Sequence, residues 1–207
     1  MFASDSLTPL SKLKGLAGLL LLAGCASQQA YDLPELHDWD TRLAVLSDAE
    51  DWAFTGRIAV KSGDDGFNGK IRWRQQDQQF TATVSGPLGI GTVLLEGGPQ
   101  QVTLTDKDGQ QTRLQDPETE LMLRYGWTIP VRSLQYWALG IPDPRSPAET
   151  RFNDDGLADS LTQAGWVVTV GRYRNNAGQP MPARITATNT QTRVRLVVDN
   201  WLFFDQL

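Results

Sequence analysis

Apolar residues recur along this chain in two rhythms, and the switches between them mark its elements. Leu36, Trp39, Leu43 and Leu46 fall three or four residues apart, which puts them on one face of an amphipathic helix. After Asp51 the period shortens to two. Phe54, Ile58 and Val60 alternate with Thr55, Arg57 and Lys61. Phe67, Ile71 and Trp73 alternate with Asn68, Lys70, Arg72 and Arg74, and Phe80, Ala82 and Val84 with Thr81, Thr83 and Ser85. Each run predicts a strand with one apolar and one wet face. Asp64-Asp65-Gly66 is the turn between the first two. Three more strands are expected over 91–97, 101–105 and 110–115, with Asp106-Lys107-Asp108-Gly109 as the hairpin turn between the last two.

Asp116-Pro117-Glu118 breaks the two-residue rhythm. Asp suits a helix N-cap, Pro its first turn, and Glu the positive end of its dipole. Leu121, Met122 and Tyr125 supply an apolar face, and Gly126 a stop. A second short helix is expected from about Pro130, with Leu134, Trp137 and Ala138 on one face and Gly140 at its end. A loop with Pro142, Pro144 and Pro147 follows. Strands resume after Asp154-Asp155-Gly156, over 157–162, 166–174, 183–189 and 193–201, with turns at Ala164-Gly165 and 175–179. Strands, a helical insert and strands again predict a mainly β chain, a curved antiparallel sheet with helices on one face. About ten strands tend to curl, and a helical pair over the concave side makes a lidded cup.

The first residues have a different logic. Lys12 and Lys14 precede an apolar run, Leu16 to Leu22, which leads into Leu22-Ala23-Gly24-Cys25. Basic, apolar and small-residue parts in that order make a secretory signal, and the run is far shorter than the ~20 residues that span a bilayer. Leu-Ala-Gly-Cys resembles a lipobox. That resemblance implies cleavage before Cys25, lipid on its sulfur, and a mature protein held by acyl chains, which anchor firmly when two or more act together. Ala26, where retention in the inner membrane is often marked by aspartate, resembles the pattern exported to the outer membrane. The expected organisation is a signal peptide over 1–24, a lipidated tether over 25–33, and one domain over 34–207. Cys25 is the single cysteine, so no disulfide forms within the chain.

Composition narrows the function. Losing the leader with Lys12, Lys14 and Asp5 takes 19 basic and 24 acidic residues to 17 and 23, a net charge of −6. That balance argues against nucleic acid and against general attraction to anionic lipid. His37 is the single histidine and falls in the first helix, close to the tether, so Ser-His-Asp chemistry and histidine metal sites lack support. Asp106/Asp108 and Asp154/Asp155 sit beside glycines and have the form of structural turns. No phosphate-binding G-x-x-x-x-G-K-[ST] loop occurs, and no cofactor is expected. A non-enzymatic protein is the reading that remains. The seven tryptophans suit a core, an apolar pocket or a membrane interface.

One segment does not fit a plain globule. Ser85-Gly86-Pro87-Leu88-Gly89-Ile90-Gly91 joins two strands. Its glycines and proline account for the turn. Leu88, at the tip, has no such account. Pro87, Leu88 and Gly89 are therefore candidates for a loop that dips into a bilayer, where burying one leucine is worth ~1.5–3 kcal/mol. That biases an orientation without anchoring a protein.

Taken together, the lipobox, the amphipathic helix, Thr55-Gly56-Arg57-Ile58-Ala59-Val60, Trp73 and Gly86-Pro87-Leu88-Gly89 resemble, in order, the outer-membrane lipoprotein receptor family LolB. Ile129-Pro130-Val131 with Leu134, Trp137 and Gly140 continues the match, as do Gln163, Gly165 and Trp166, then Met181-Pro182 and Val197-Asp199-Asn200-Trp201. The resemblance implies an incomplete β-barrel with a helical lid over an apolar cavity. It implies a monomer on the periplasmic face of the outer membrane that takes acylated lipoproteins from a soluble periplasmic carrier and inserts them into outer-membrane lipid. The family's protruding leucine corresponds to Leu88. Candidate acyl-chain contacts are Ile71, Trp73, Phe80, Val84 and Leu94 on the walls, with Leu121, Tyr125 and Trp137 on the lid. In such a cup, core and cavity faces coincide, so each candidate is equally a packing residue. A lipid-anchored module for another apolar ligand shares every one of these features.

Overall fold

A computed structural model of the chain describes residues 30–86 and 91–204. Cys25, Pro87, Leu88 and Gly89 lie outside the described residues. Among the described residues, twelve strands form one antiparallel sheet. In chain order they are β1 (Ala30–Tyr31), β2 (Asp51–Ser62), β3 (Asp65–Gln76), β4 (Gln79–Ser85), β5 (Val93–Gly97), β6 (Val102–Thr105), β7 (Gln111–Leu114), β8 (Ala148–Phe152), β9 (Ala158–Gln163), β10 (Trp166–Asn176), β11 (Gln179–Thr188) and β12 (Thr192–Phe204). Helix α1 (Trp39–Ser47) precedes β2, and α2 (Pro117–Tyr125) and α3 (Val131–Leu139) separate β7 from β8.

The spatial order runs β7-β6-β5-β4-β3-β2-β12-β11-β10-β9-β8. The last strand thus pairs with β2 in the middle, and β7 and β8 are left as the two open edges. The chain that joins those edges carries both lid helices. The sheet is curved and unclosed, an incomplete barrel as the family resemblance implies. Inward side chains of β2, β3, β4, β11 and β12 and the apolar faces of α2 and α3 share one core. Where β12 crosses β2, Gly56 is required. A Cβ there would stand 2.1 Å from the Val197 carbonyl oxygen. The register shifts just beyond, between Val198 and Asn200, and Asp199 at the shift pairs with Arg57 at 2.9 Å.

Helix ends follow the chain's capping signals. Asp38 and Asp116 accept hydrogen bonds from the backbone N–H of Thr41 and Thr119 at 2.8 and 3.3 Å. Gly126 and Gly140 end α2 and α3 with φ of 71° and 78°, the left-handed region that glycine fills without strain.

Three expectations need correction. Residues 30–33, assigned above to the tether, belong to the domain. Ala30 and Tyr31 pair with Phe204 and Phe203, Leu33 is buried, and its N–H donates to the Ala177 carbonyl at 2.8 Å. Strand β8 was expected to be loop. Its five side chains carry one large apolar residue, Phe152, so an edge strand beside Pro147 leaves no alternation to detect. Strand β11 starts at Gln179, not 183, because the turn is the two-residue Ala177-Gly178, with φ of 50° and 74°. Pro180 and Pro182 argue against an interior strand. Their partner β10 is irregular there, its register shifting between Val170 and Tyr173.

Candidate functional site

The inward face of the sheet has two halves. At the end where β2 begins and β12 finishes, six aromatic rings form a continuous cluster. Trp73 stacks on Phe80 at 4.6 Å between ring centres, on Phe54 at 6.1 Å and on Trp52 at 6.4 Å. Trp201 lies 5.2 Å from Phe54 and 6.1 Å from Phe203. All six are buried. Rings at such separations gain from offset packing beyond the apolar area they bury. Although Trp52 and Gln75 at its margin border a cleft of about 510 Å³ with Leu46, Tyr136 and Leu139, the space among the rings is therefore filled.

The other half is not. An apolar cavity of about 330 Å³ is lined by Phe67, Val84, Val93, Leu95 and Leu104 from the sheet and by Leu121, Trp127 and Ile129 from the lid segment. Gly86 and Gly91, the two stems of the Leu88 loop, also border it. The volume falls at the low end of the ~300–1,000 Å³ of small-molecule sites. Phe67 and Trp127 meet across it with ring centres 4.8 Å apart.

The candidate contacts divide between the two halves. Val84 and Leu121 line the cavity. Ile71 pairs with Val84 and is buried beside it. Trp73 and Phe80 belong to the aromatic cluster. Leu94 is misassigned. It pairs with Thr83, whose side chain is on the wet face, and Leu95, paired with Ala82, takes the inward place. The consecutive apolar residues Val93-Leu94-Leu95 hide which one points inward. Tyr125 is the last residue of α2, and its side chain lies outside the described residues. Phe67, Val93, Leu104, Trp127 and Ile129 were not singled out. Phe67 and Leu104 were legible from alternation, whereas Trp127 follows a helix stop and belongs to no periodic run.

Trp137 does not border the cavity but holds the lid. Its indole N–H donates to Oε1 of Gln163 at 2.8 Å, and its ring lies 6.1 Å from Trp166. Gln163 also accepts from the Asp143 N–H at 2.9 Å and donates to the carbonyls of Asp143 and Ser146 at 2.7 and 2.6 Å. Asp143 accepts from Ser133 on α3 at 2.7 Å and from the Arg145 guanidinium at 2.6 and 2.8 Å. Burial pushes the Asp143 carboxyl up, but the bonds from Arg145 and Ser133 outweigh it and hold it below the ordinary value. Glu118 on α2 is shifted the other way, upward, by burial.

Among the described residues, no helix is long and apolar enough to cross a membrane, and no group of His, Asp and Glu is placed to hold a metal. His37 is exposed beside Glu35, and Asp106 is occupied in its turn by the N–H groups of Asp108 and Gln110.

Similarity to known proteins agrees with this architecture. The sheet resembles a DUF1329 family protein from Desulfovibrio piger, with TM-score 0.55 and 7% identity over 80% of this chain and 90% of that one. It also resembles a LolA superfamily protein from Nitrosomonas europaea, with TM-score 0.52 and 8% identity over 77% of this chain and 89% of that one. These likenesses concern the fold. In sequence, the chain is 33% identical to the outer-membrane lipoprotein LolB of Nitrosococcus oceani, over 90% of this chain and 94% of that protein. It is also 33% identical to that of Halorhodospira halophila, over 91% and 93%. Residues 50–201 match the family described as outer membrane lipoprotein LolB, and the chain belongs to that family.

Proposed function

We propose that this protein is an outer-membrane receptor for lipoproteins. It accepts their acyl chains from a soluble periplasmic carrier and passes the cargo into the membrane. The observation that carries this reading is the apolar cavity at the lid, bordered by Gly86 and Gly91. An acyl chain in water is strongly unfavourable, at ~0.8 kcal/mol per methylene, so cargo must move between apolar sites without exposure. With no nucleotide loop in the sequence, direction comes from affinity: the receptor must hold cargo more tightly than the carrier, and the bilayer more tightly still.

In this reading residues 1–24 are removed, the Cys25 lipid keeps the domain at the periplasmic face of the outer membrane, and Leu88 touches the bilayer. The protein acts as a monomer and performs no bond chemistry. The test is a transfer assay with a Cys25→Ala form, acylated lipoprotein on its carrier, and liposomes. Leu88→Glu should still accept cargo but deliver it poorly. Unchanged delivery removes Leu88 from the mechanism, and a parent form that accepts no acylated cargo ends the receptor reading. Capture of unrelated apolar ligands without such acceptance favours the simpler binding module.

A further inference from the structure

Alternation requires the outer face of each strand to be wet, but not to be basic. Strand register gathers cations there. Arg172 pairs with Arg184, Arg184 with Val197, Val197 with Arg57, and Arg57 with Lys70, so one row across β10, β11, β12, β2 and β3 carries four cations. Toward the loop end, Arg193 opposes Lys61. Arg195 on β12 and Arg72 on β3 stand in neighbouring rows of the same face. All eight side chains are exposed. Asp199, paired with Arg57 at 2.9 Å, is the carboxylate set among them. The other seven cations meet no carboxylate among the described residues. Asp64 and Asp65 lie in the turn beyond Lys61, whereas Asp48, Glu50 and Asp77 rim the cleft at the opposite end of the barrel.

Folding alone does not ask for this arrangement. Arg172 and Arg184, Arg57 and Lys70, and Arg193 and Lys61 are like charges set directly opposite one another, which weakens a sheet. Cations often guard exposed sheet edges, but β12, β2 and β3 run through the middle of this one. We propose that the basic face leans on anionic phospholipid, loop end first, its guanidinium and ammonium groups bonded to headgroup phosphates, and so tilts the barrel at the membrane. The proposal needs the outer-membrane location of the family and not the transfer of cargo. Phosphates against the face relieve its internal repulsion, and arginine binds them through two parallel bonds. Position favours lipid over a protein partner. Lys70 pairs with Ser85, the last residue of β4 before the Leu88 loop, so the basic row is level with the stem of the segment expected to dip into the bilayer. The patch spans about 19 Å across the strands, from β10 to β3, and ~20 Å along them, from the row of Arg72 to Lys61. The net charge of −6 does not oppose this contact. Charges are screened over ~8 Å at physiological salt, so the nearest face decides.

The test is sedimentation of the Cys25→Ala form, without residues 1–24, with vesicles of phosphatidylcholine or of an equal mixture with phosphatidylglycerol. Binding should favour the anionic vesicles and weaken as salt is raised. Lys70→Gln, Arg72→Gln and Arg195→Gln together should lower the affinity about a hundredfold, at about fivefold per cation near the surface. Arg113→Gln with Arg151→Gln, on the edge strands β7 and β8, should leave it nearly unchanged. Binding as strong to neutral as to anionic vesicles, or no binding to either, overturns the proposal. So does an equal loss per charge in the two sets of variants, which would make net charge the cause. A triple variant that binds anionic vesicles like the parent but no longer takes cargo from the carrier would make the face a protein dock instead. The vesicle measurements involve no cargo, so their failure leaves the receptor reading standing.

Discussion

The indole N–H of Trp137 and the side-chain oxygen of Gln163 meet at 2.8 Å in a site closed to water, and this bond joins lid helix α3 to strand β9. Gln163 uses both ends of its amide, two bonds in and two out. An amide is the one side chain that both accepts from an indole and an N–H and donates to two carbonyls. Gln163→Leu keeps much of the volume and strands all four partners. Each orphaned buried group costs ~1–3 kcal/mol, so the substitution should destabilise the fold by about 4 kcal/mol or more, read as a drop in the urea midpoint. Gln163→Glu loses only the donors and leaves a buried charge, and should be no better. A midpoint within experimental error of the parent would show that the bond does not hold the lid.

The two carboxyls of the lid region should titrate in opposite senses. Asp143 is held below its ordinary value, so its contribution is present above the unfolded pKa of ~3.9 and fades as pH falls through the folded value. Glu118 is raised by burial, so its contribution is present below ~4.3 and is lost as pH rises through its folded value. Asp143→Asn should therefore destabilise at pH 7 and do less harm at pH 2. Glu118→Gln should stabilise at pH 7 and make no difference at pH 3. Urea midpoints measured across this range check both, and a Glu118→Gln gain that persists unchanged at pH 3 would contradict the burial argument.

Arg42 is a case where burial and charge conflict. It is 1% exposed on α1, its Nη2 donates to the Pro180 carbonyl at 2.7 Å and weakly to the Met181 sulfur at 3.8 Å, and its guanidinium lies 5.5 Å from the Tyr173 ring. Its Nε and Nη1 have no hydrogen-bond partner, and no carboxylate pairs with it among the described residues. Burial lowers its pKa and pushes the neighbouring Tyr173 phenol up to about 12. Replacing a buried, incompletely compensated ion by an apolar residue of similar length often gains ~1–4 kcal/mol. Arg42→Met should raise the thermal midpoint, whereas Arg42→Ala, which leaves a hole, should lower it. If both lower it equally, the charge is better compensated than its neighbours suggest.

How far the sequence reached depends on what each residue had for neighbours in the chain. Strands β2, β3 and β4 were legible because each buried residue has a wet one on either side, as at Ile71, Arg72 and Trp73. Asp116, Gly126 and Gly140 marked helix ends because capping is local. Leu94 was assigned to the wrong face because three apolar residues in a row carry no phase. Arg42 was invisible as a core residue because a charged side chain at a helical position predicts a wet face; tertiary contact with β11 decided otherwise. The cavity itself was not legible. Trp73 and Val84 are both inward residues on paired strands, yet Trp73 packs against Phe54 and Phe80 while Val84 faces the cavity with Leu121 and Trp127, a difference that alternation does not carry.

The pairing of β1 with the end of β12 sets where the anchor leaves the barrel. Tyr31 opposes Phe203, Phe203 opposes Trp52, Trp52 opposes Gln75, and Gln75 opposes Phe80, and Ala30 opposes Phe204, so the chain departs one residue beyond the row of Phe80, level with Gln79. The Leu88 loop leaves from the other end of the same strand, after Ser85. Six residues of strand separate the two levels, a rise of ~20 Å. From Ala30 back to Cys25 there are five steps, and a fully extended chain reaches ~3.3–3.6 Å per residue, about 18 Å in all. With the loop end facing the membrane, the Cys25 lipid and Leu88 therefore reach one bilayer together only if the strands tilt toward it. Deleting residues 26–29 should then weaken delivery to membranes by the lipidated protein, while the same deletion in the Cys25→Ala form should leave acceptance of cargo from the carrier unchanged. Lengthening the tether with a Gly-Ser segment should leave delivery intact or improve it, because slack removes the constraint. Full delivery by the shortened, lipidated protein would mean that the barrel lies on its side at the membrane, with both ends near the surface.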